Sequence, residues 1–110
     1  MYYLQKRLEI AGSHKLDLDY ESKCQNIHGH NWIITVYCKS KTLNKNGMII
    51  DFTDIKKAVM KFDHQHINDH LKCNPTAENM AEHLVNTIPF CYKADVQESE
   101  GNIASYEIQG

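Results

Sequence analysis

The sequence predicts an α+β domain in which two helices cover one face of a four-stranded antiparallel sheet. Three observations carry that expectation. Two long strand-like runs open the chain, two helix-period stretches with capping residues occupy its middle, and two short alternating runs close it. Strands gathered on either side of a helix pair point to an antiparallel sheet packed on one side by helices. At 110 residues the chain forms one domain, 1–110, near the length that buries a single core, with no repeat or linker.

Residues 3–12 alternate: Leu4, Leu8 and Ile10 share one face, Gln5, Arg7 and Glu9 the other, with Lys6 interrupting the apolar side. Residues 15–27 have no steady period and read as a long loop that delivers Cys24; a loop of that length in a small domain is usually functional. From His28 to Ser40, Trp32, Ile34, Val36 and Cys38 alternate with Asn31, Thr35 and Tyr37, the strongest strand signal in the chain. Asn44-Lys45-Asn46-Gly47 supplies turn chemistry, and Met48-Ile49-Ile50 is a short strand or extended segment.

Asp51 or Thr53 caps a first helix whose stripe is Phe52, Ile55, Val59 and Phe62, with Lys56, Lys57 and Lys61 turned to solvent. A polar segment, 63–70, follows. Pro75 and Thr76 open a second helix that buries Ala77, Met80, Ala81, Leu84 and Ile88, and Pro89 ends it. Residues 92–98 and 103–108 form a terminal hairpin turning at Ser99-Glu100-Gly101-Asn102. An open four-stranded sheet leaves two edges and a partly apolar second face that includes Ile33 and Tyr37, so an oligomer is expected.

Composition narrows the function classes. A hydrophobic fraction of 42% and a charged fraction of 24% are ordinary for a globular domain. The formal net charge of -2 offers no attraction for a nucleic-acid backbone, and Lys39, Lys41 and Lys45 read as a solvated hairpin tip. No apolar run approaches the roughly 20 residues that span a bilayer, and the N-terminus lacks signal-peptide layout, so no membrane partner and a cytoplasmic location are expected. Cys24, Cys38, Cys73 and Cys91 have no Cys-x-x-Cys spacing and should be thiols. Cys38 and Cys91 lie in apolar surroundings, whereas Cys24 lies among polar and histidine neighbours.

Chemistry concentrates in Cys24-Gln25-Asn26-Ile27-His28-Gly29-His30. In a strand starting at His28, the two imidazoles share a face. His14 ends the preceding strand, and antiparallel pairing brings it beside His28. Three imidazoles with a fourth position open match a catalytic metal site, and an all-imidazole set favours zinc. Cys24 is then a base or nucleophile beside a polarised group; its other reading is a fourth ligand that closes the site. Asp63-His64 offers an acid–base unit or a solvated pair. His66, His70 and Cys73 make a weaker rival metal set. Glu98, near a strand end, can accept two hydrogen bonds from an amidine-like edge such as a pterin or guanine, or stand as a charged hairpin residue.

These segments together resemble the family of 6-pyruvoyltetrahydropterin synthase and 6-carboxytetrahydropterin synthase. Ala11-Gly12-Ser13-His14, Cys24-x-x-x-His28-Gly29-His30-Asn31, Gly47-Met48-Ile49-Ile50-Asp51-Phe52, Asp63-His64 with Asn68, Pro75-Thr76-Ala77-Glu78-Asn79 and Val96-Gln97-Glu98 follow in the family's order, nearly end to end. The resemblance implies a tunnelling fold whose sheets join into a trimeric barrel, with two trimers stacked as a homohexamer. It implies zinc on His14, His28 and His30, Cys24 as the base, Asp63 with His64 as a relay reached across a subunit interface, and Glu98, Thr76 and Glu78 at the pterin.

Three residues separate Cys24 from His28, where pyruvoyl-forming members usually have five, so the chain is similar to the carboxy-forming branch. That branch implies 7,8-dihydroneopterin triphosphate as substrate and 6-carboxytetrahydropterin, acetaldehyde and triphosphate as products, on the way to queuosine. The alternatives are a 6-pyruvoyltetrahydropterin synthase on the same fold and a non-catalytic zinc protein that binds a pterin or purine. Ser99 departs from the family's frequent Thr, and no particular lysine or arginine stands out as the triphosphate partner.

Overall fold

The computed structural model describes residues 1–109. β1 (Tyr2–His14) and β2 (His28–Ser40) pair antiparallel along their whole lengths, from Tyr2 opposite Ser40 to His14 opposite His28. Then come α1 (Phe52–Met60), a two-residue strand β3 (Gln65–His66), α2 (Ala77–Thr87), and the hairpin of β4 (Cys91–Ser99) and β5 (Asn102–Glu107). The sheet order is β3-β1-β2-β4-β5, so the most apolar strand lies at the centre.

Alternation along β2 sends Trp32, Ile34, Val36 and Cys38 under the helices, where all are fully buried. Ile10 from β1 and Ala94 and Val96 from β4 extend that face. Ile55 and Val59 of α1 and Met80, Ala81, Leu84 and Val85 of α2 close over it. Asp51 caps α1 by accepting the Thr53 N–H at 2.9 Å, and Thr76 caps α2 by accepting the Asn79 N–H at 3.1 Å. Cys38 and Cys91 are buried thiols, as their surroundings imply.

The sheet has five strands rather than four, and is mixed rather than purely antiparallel. β3 pairs parallel to β1, Gly12 with Gln65 and Ser13 with His66. No apolar alternation marks this segment; backbone capture by polar groups makes the strand. Asp63 Oδ1 accepts the Ala11 N–H at 2.9 Å and the His64 N–H donates to the Ala11 carbonyl at 2.6 Å, hooking the chain alongside β1. His64 takes a left-handed φ of 57° to make that turn.

Phe52 also departs from expectation: it is 52% exposed rather than part of the α1 core stripe. It is the helix's first residue, and Ile49, two residues before the cap, fills the core instead. The Lys6 ammonium lies 5.7 Å from the Phe52 ring centroid, so the lysine that interrupts the apolar face of β1 finds a cation–π partner there. Phe62 is buried, but in the turn after α1. Among the described residues no helix is long and apolar enough to cross a membrane.

Candidate active site

Register alone gathers three imidazoles at one end of the sheet. His14 faces His28 across β1 and β2, and His30 returns to the same face two residues along. The ring centroids of His14–His28, His28–His30 and His14–His30 are 4.5, 4.9 and 5.1 Å apart, with planes at 62°, 89° and 78°. Trp32 floors the group, its ring 4.9 Å from His14 and 5.3 Å from His30. Gly12, opposite His30, packs closely on Ile67: a Cβ there would lie 3.0 Å from Ile67 Cδ1.

Backbone carbonyls fix two of the tautomers. His14 Nδ1 donates to the Pro75 carbonyl and His28 Nδ1 to the Asn26 carbonyl, both at 2.7 Å. A carbonyl oxygen only accepts, so each Nδ1 carries the hydrogen and each neutral ring keeps a lone pair on Nε2. Those two Nε2 atoms are 3.0 Å apart. Two lone pairs at that distance repel unless a cation lies between them. Burial holds the His14 imidazole below its ordinary pKa, against the opposing pull of the Pro75 hydrogen bond and the Glu98 charge, which disfavours a proton as that cation.

Glu98 completes the group. Its Oε1 lies 2.8 Å from His30 Nε2 and 3.6 Å from His14 Nε2, yet His30 Nε2 is buried without an aligned hydrogen-bond partner. The ligand atoms of His14, His28, His30 and Glu98 all lie within 4.8 Å of one another. Three imidazoles and a carboxylate converging in this way are a donor set that suits a metal ion. Glu98 joins this face because it is in phase with buried Val96 along β4. That phase was the available signal for a carboxylate beside the histidines.

Geometry, fold and sequence comparisons agree. The family model of 6-pyruvoyl tetrahydropterin synthase matches residues 3–109. The chain belongs to this family. The 6-carboxy-5,6,7,8-tetrahydropterin synthase of Rickettsia bellii is 33% identical over 107 residues, covering 76% of this chain and 77% of that protein. A Pyrococcus horikoshii homologue is 43% identical over 70 residues, covering 59% of this chain but 44% of its own length. The Caenorhabditis elegans 6-pyruvoyl tetrahydropterin synthase superposes with a TM-score of 0.75 at 22% identity, over 98% of this chain and 96% of that one. The pterin synthases are an enzyme family of lyases, and the fold is their tunnelling fold.

The other candidate residues of this pterin synthase family member lie outside the histidine group. Cys24 sits half-buried in a 3₁₀ turn, Lys23–Gln25, capped by Ser22. It is not among the clustered donor atoms. Asp63 Oδ2 lies 2.9 Å from His64 Nδ1, and the Ala11 N–H is the main reason the Asp63 carboxyl is held below the usual carboxylate range. His64 is 80% exposed and lines a groove of about 540 Å³ with Ser13, His30 and Asn31 on the sheet edge. One chain does not bring its ring into the histidine group.

Glu78 and Glu98 share a smaller cleft of about 210 Å³ with Asn102 and Ile103. The Thr76 hydroxyl is engaged in capping α2. The rival set does not assemble: His66 Nδ1 pairs with Ser13 Oγ at 2.9 Å and His70 Nε2 with Gln65 Oε1 at 3.2 Å. The Pro75 and Asn26 carbonyls are not legible in the sequence, since backbone acceptors leave no trace in residue type.

Proposed function

We propose that this chain is a zinc-dependent 6-carboxy-5,6,7,8-tetrahydropterin synthase that converts 7,8-dihydroneopterin triphosphate to 6-carboxytetrahydropterin, acetaldehyde and triphosphate. The observation that carries the proposal is the pair of hydrogen-free His14 and His28 Nε2 atoms facing each other at 3.0 Å beside His30. The name of the Rickettsia bellii relative and the three-residue interval between Cys24 and His28 support the carboxy-forming outcome.

His14, His28 and His30 would hold the metal, which would supply Lewis-acid polarisation of a substrate oxygen and so ease deprotonation of the neighbouring carbon. Cys24 takes the side-chain proton. Glu98 receives the amidine-like edge of the pterin, because its carboxylate borders both the histidine group and the cleft with Glu78. Thr76 sets the start of α2 beneath that cleft. Asp63 accepts from Ala11 and holds the His64 ring, which serves the site of a neighbouring subunit in a homohexamer. The protein acts in the cytoplasm, in queuosine biosynthesis.

Incubating zinc-loaded protein with 7,8-dihydroneopterin triphosphate and identifying products by mass tests this reading. Acetaldehyde with 6-carboxytetrahydropterin is the expected result. Pyruvoyl product without acetaldehyde assigns the other branch of the family. A second reading draws on the 2.8 Å approach of Glu98 to His30: a closed four-donor site in a non-catalytic pterin-binding protein. It predicts that Glu98→Gln weakens zinc binding, whereas the enzyme reading predicts weaker substrate binding with zinc retained.

A further inference from the structure

Two asparagines beside the site make the same reciprocal contact. The Lys15 N–H donates to Asn68 Oδ1 and Asn68 Nδ2 donates to the Lys15 carbonyl, both at 2.9 Å. Two residues on, the Asp17 N–H donates to Asn74 Oδ1 and Asn74 Nδ2 donates to the Asp17 carbonyl, both at 2.8 Å. A carboxamide that takes both backbone groups of one residue imitates the edge of a neighbouring strand. Among side chains only Asn and Gln carry that donor–acceptor pair.

Extended backbone turns alternate residues to opposite sides. Lys15 and Asp17 therefore face the asparagines, and Leu16 between them faces the other way, where its N–H donates to the Cys24 carbonyl at 2.8 Å. The segment leaving His14 is thus a short rail with asparagine amides on one side and the Cys24 backbone on the other. The rail is anchored to the metal-ligand frame. Asn79 Nδ2 of α2 donates to the Asn74 carbonyl at 2.8 Å, and the next residue, Pro75, receives His14 Nδ1.

We propose that Asn68 and Asn74 are positioning residues, a carboxamide clamp that sets the Cys24 thiol relative to the His14 ring. Their effect on turnover rests on the pterin synthase reading above. The physical need is clear from loop length: residues 15–27 are long enough to wander, and a misplacement near 1 Å at a proton-transfer group costs about a hundredfold in rate. His14 itself is held by β1 and Pro75, so the clamp acts on the thiol more than on the metal.

The test uses Asn74→Asp, which keeps volume and acceptor but removes the donor and sets a carboxylate against the Asp17 carbonyl, together with Asn68→Ala and Asn74→Ala. Hydrogen exchange at the Lys15, Leu16 and Asp17 amides should accelerate in all three. Affinity for zinc alone should stay within about threefold, as for a surface change away from the ligands. Turnover of dihydroneopterin triphosphate should lose about tenfold or more in kcat with little change in KM, and the rate of Cys24 alkylation by iodoacetamide should change. Unchanged amide exchange, or faster exchange with wild-type kcat and alkylation, overturns the clamp. Zinc affinity falling as steeply as kcat also overturns it, since the asparagines would then serve the fold generally. If the wild-type protein does not turn over, the enzyme reading fails, and amide exchange with Cys24 alkylation still decides the clamp.

Discussion

Trp32 Nε1 donates to the Gly12 carbonyl oxygen at 3.1 Å, a buried hydrogen bond that ties the floor of the histidine group to the strand bearing His14. Replacing Trp32 with Phe keeps an aromatic floor but leaves that carbonyl without its donor. Losing a buried hydrogen bond costs about 0.5–1.5 kcal/mol, so Trp32→Phe should lower the unfolding free energy by at least that amount, read as a lower urea midpoint at constant m-value. Unchanged stability would mean that the Gly12 carbonyl finds another partner.

Gly12→Ala tests a second contact of the same residue. The added Cβ meets Ile67 Cδ1 at 3.0 Å, and Ile67 is fully buried, so the isoleucine has little freedom to yield. Overpacking of this kind costs about 1–3 kcal/mol. The shift should appear in thermal unfolding and also weaken zinc binding, because His14 lies two residues along the displaced strand. Wild-type zinc affinity would show that Ile67 moves rather than β1.

The histidine group was readable from residue order alone, since strand alternation and antiparallel pairing decide where His14, His28 and His30 point. Both helices were readable from spacing and caps for the same reason: their signals are local. β3 was not, because its pairing arises from Asp63 and His64 seizing the Ala11 backbone 52 residues away in sequence. Phe52 was misjudged because a helix's first residue can point off the core while keeping the right spacing. Glu98 is legible as a carboxylate near a strand end, but its place beside the histidines needs the register of β4 on β2.

A metal ion bound between the His14 and His28 lone pairs should relieve their repulsion and stabilise the fold. Zinc present at about a hundred times its dissociation constant should add about 2.7 kcal/mol to stability by mass action. A chelator should reverse the gain, and His30→Ala should abolish most of it. Equal thermal midpoints with and without zinc would remove the metal from this site.

Acid should act through Asp63. Its carboxyl titrates below the usual carboxylate range in the folded chain, chiefly because the Ala11 N–H binds the charged form. Between the folded and unfolded pKa values the unfolded chain binds more protons, so stability rises with pH there. The contribution is present above pH of about 4 and is lost as pH falls through the lowered folded value. Asp63→Asn keeps an acceptor for Ala11 but has no proton to gain, so its stability should fall less steeply in acid. Parallel acid limbs for the two proteins would show that other carboxylates set the slope.

Cys24→Ala separates the thiol's two readings most sharply. The thiol is absent from the four clustered donors, so a base role predicts zinc affinity within about threefold of wild type. Loss of a positioned base should then lower kcat by about a hundredfold or more. A fourth-ligand role predicts the reverse order, with metal lost first and turnover only as a consequence. Measuring zinc retention by chelator competition alongside kcat on the same preparation distinguishes them, because a variant that keeps its metal and loses its rate places the sulfur at the substrate rather than at the ion.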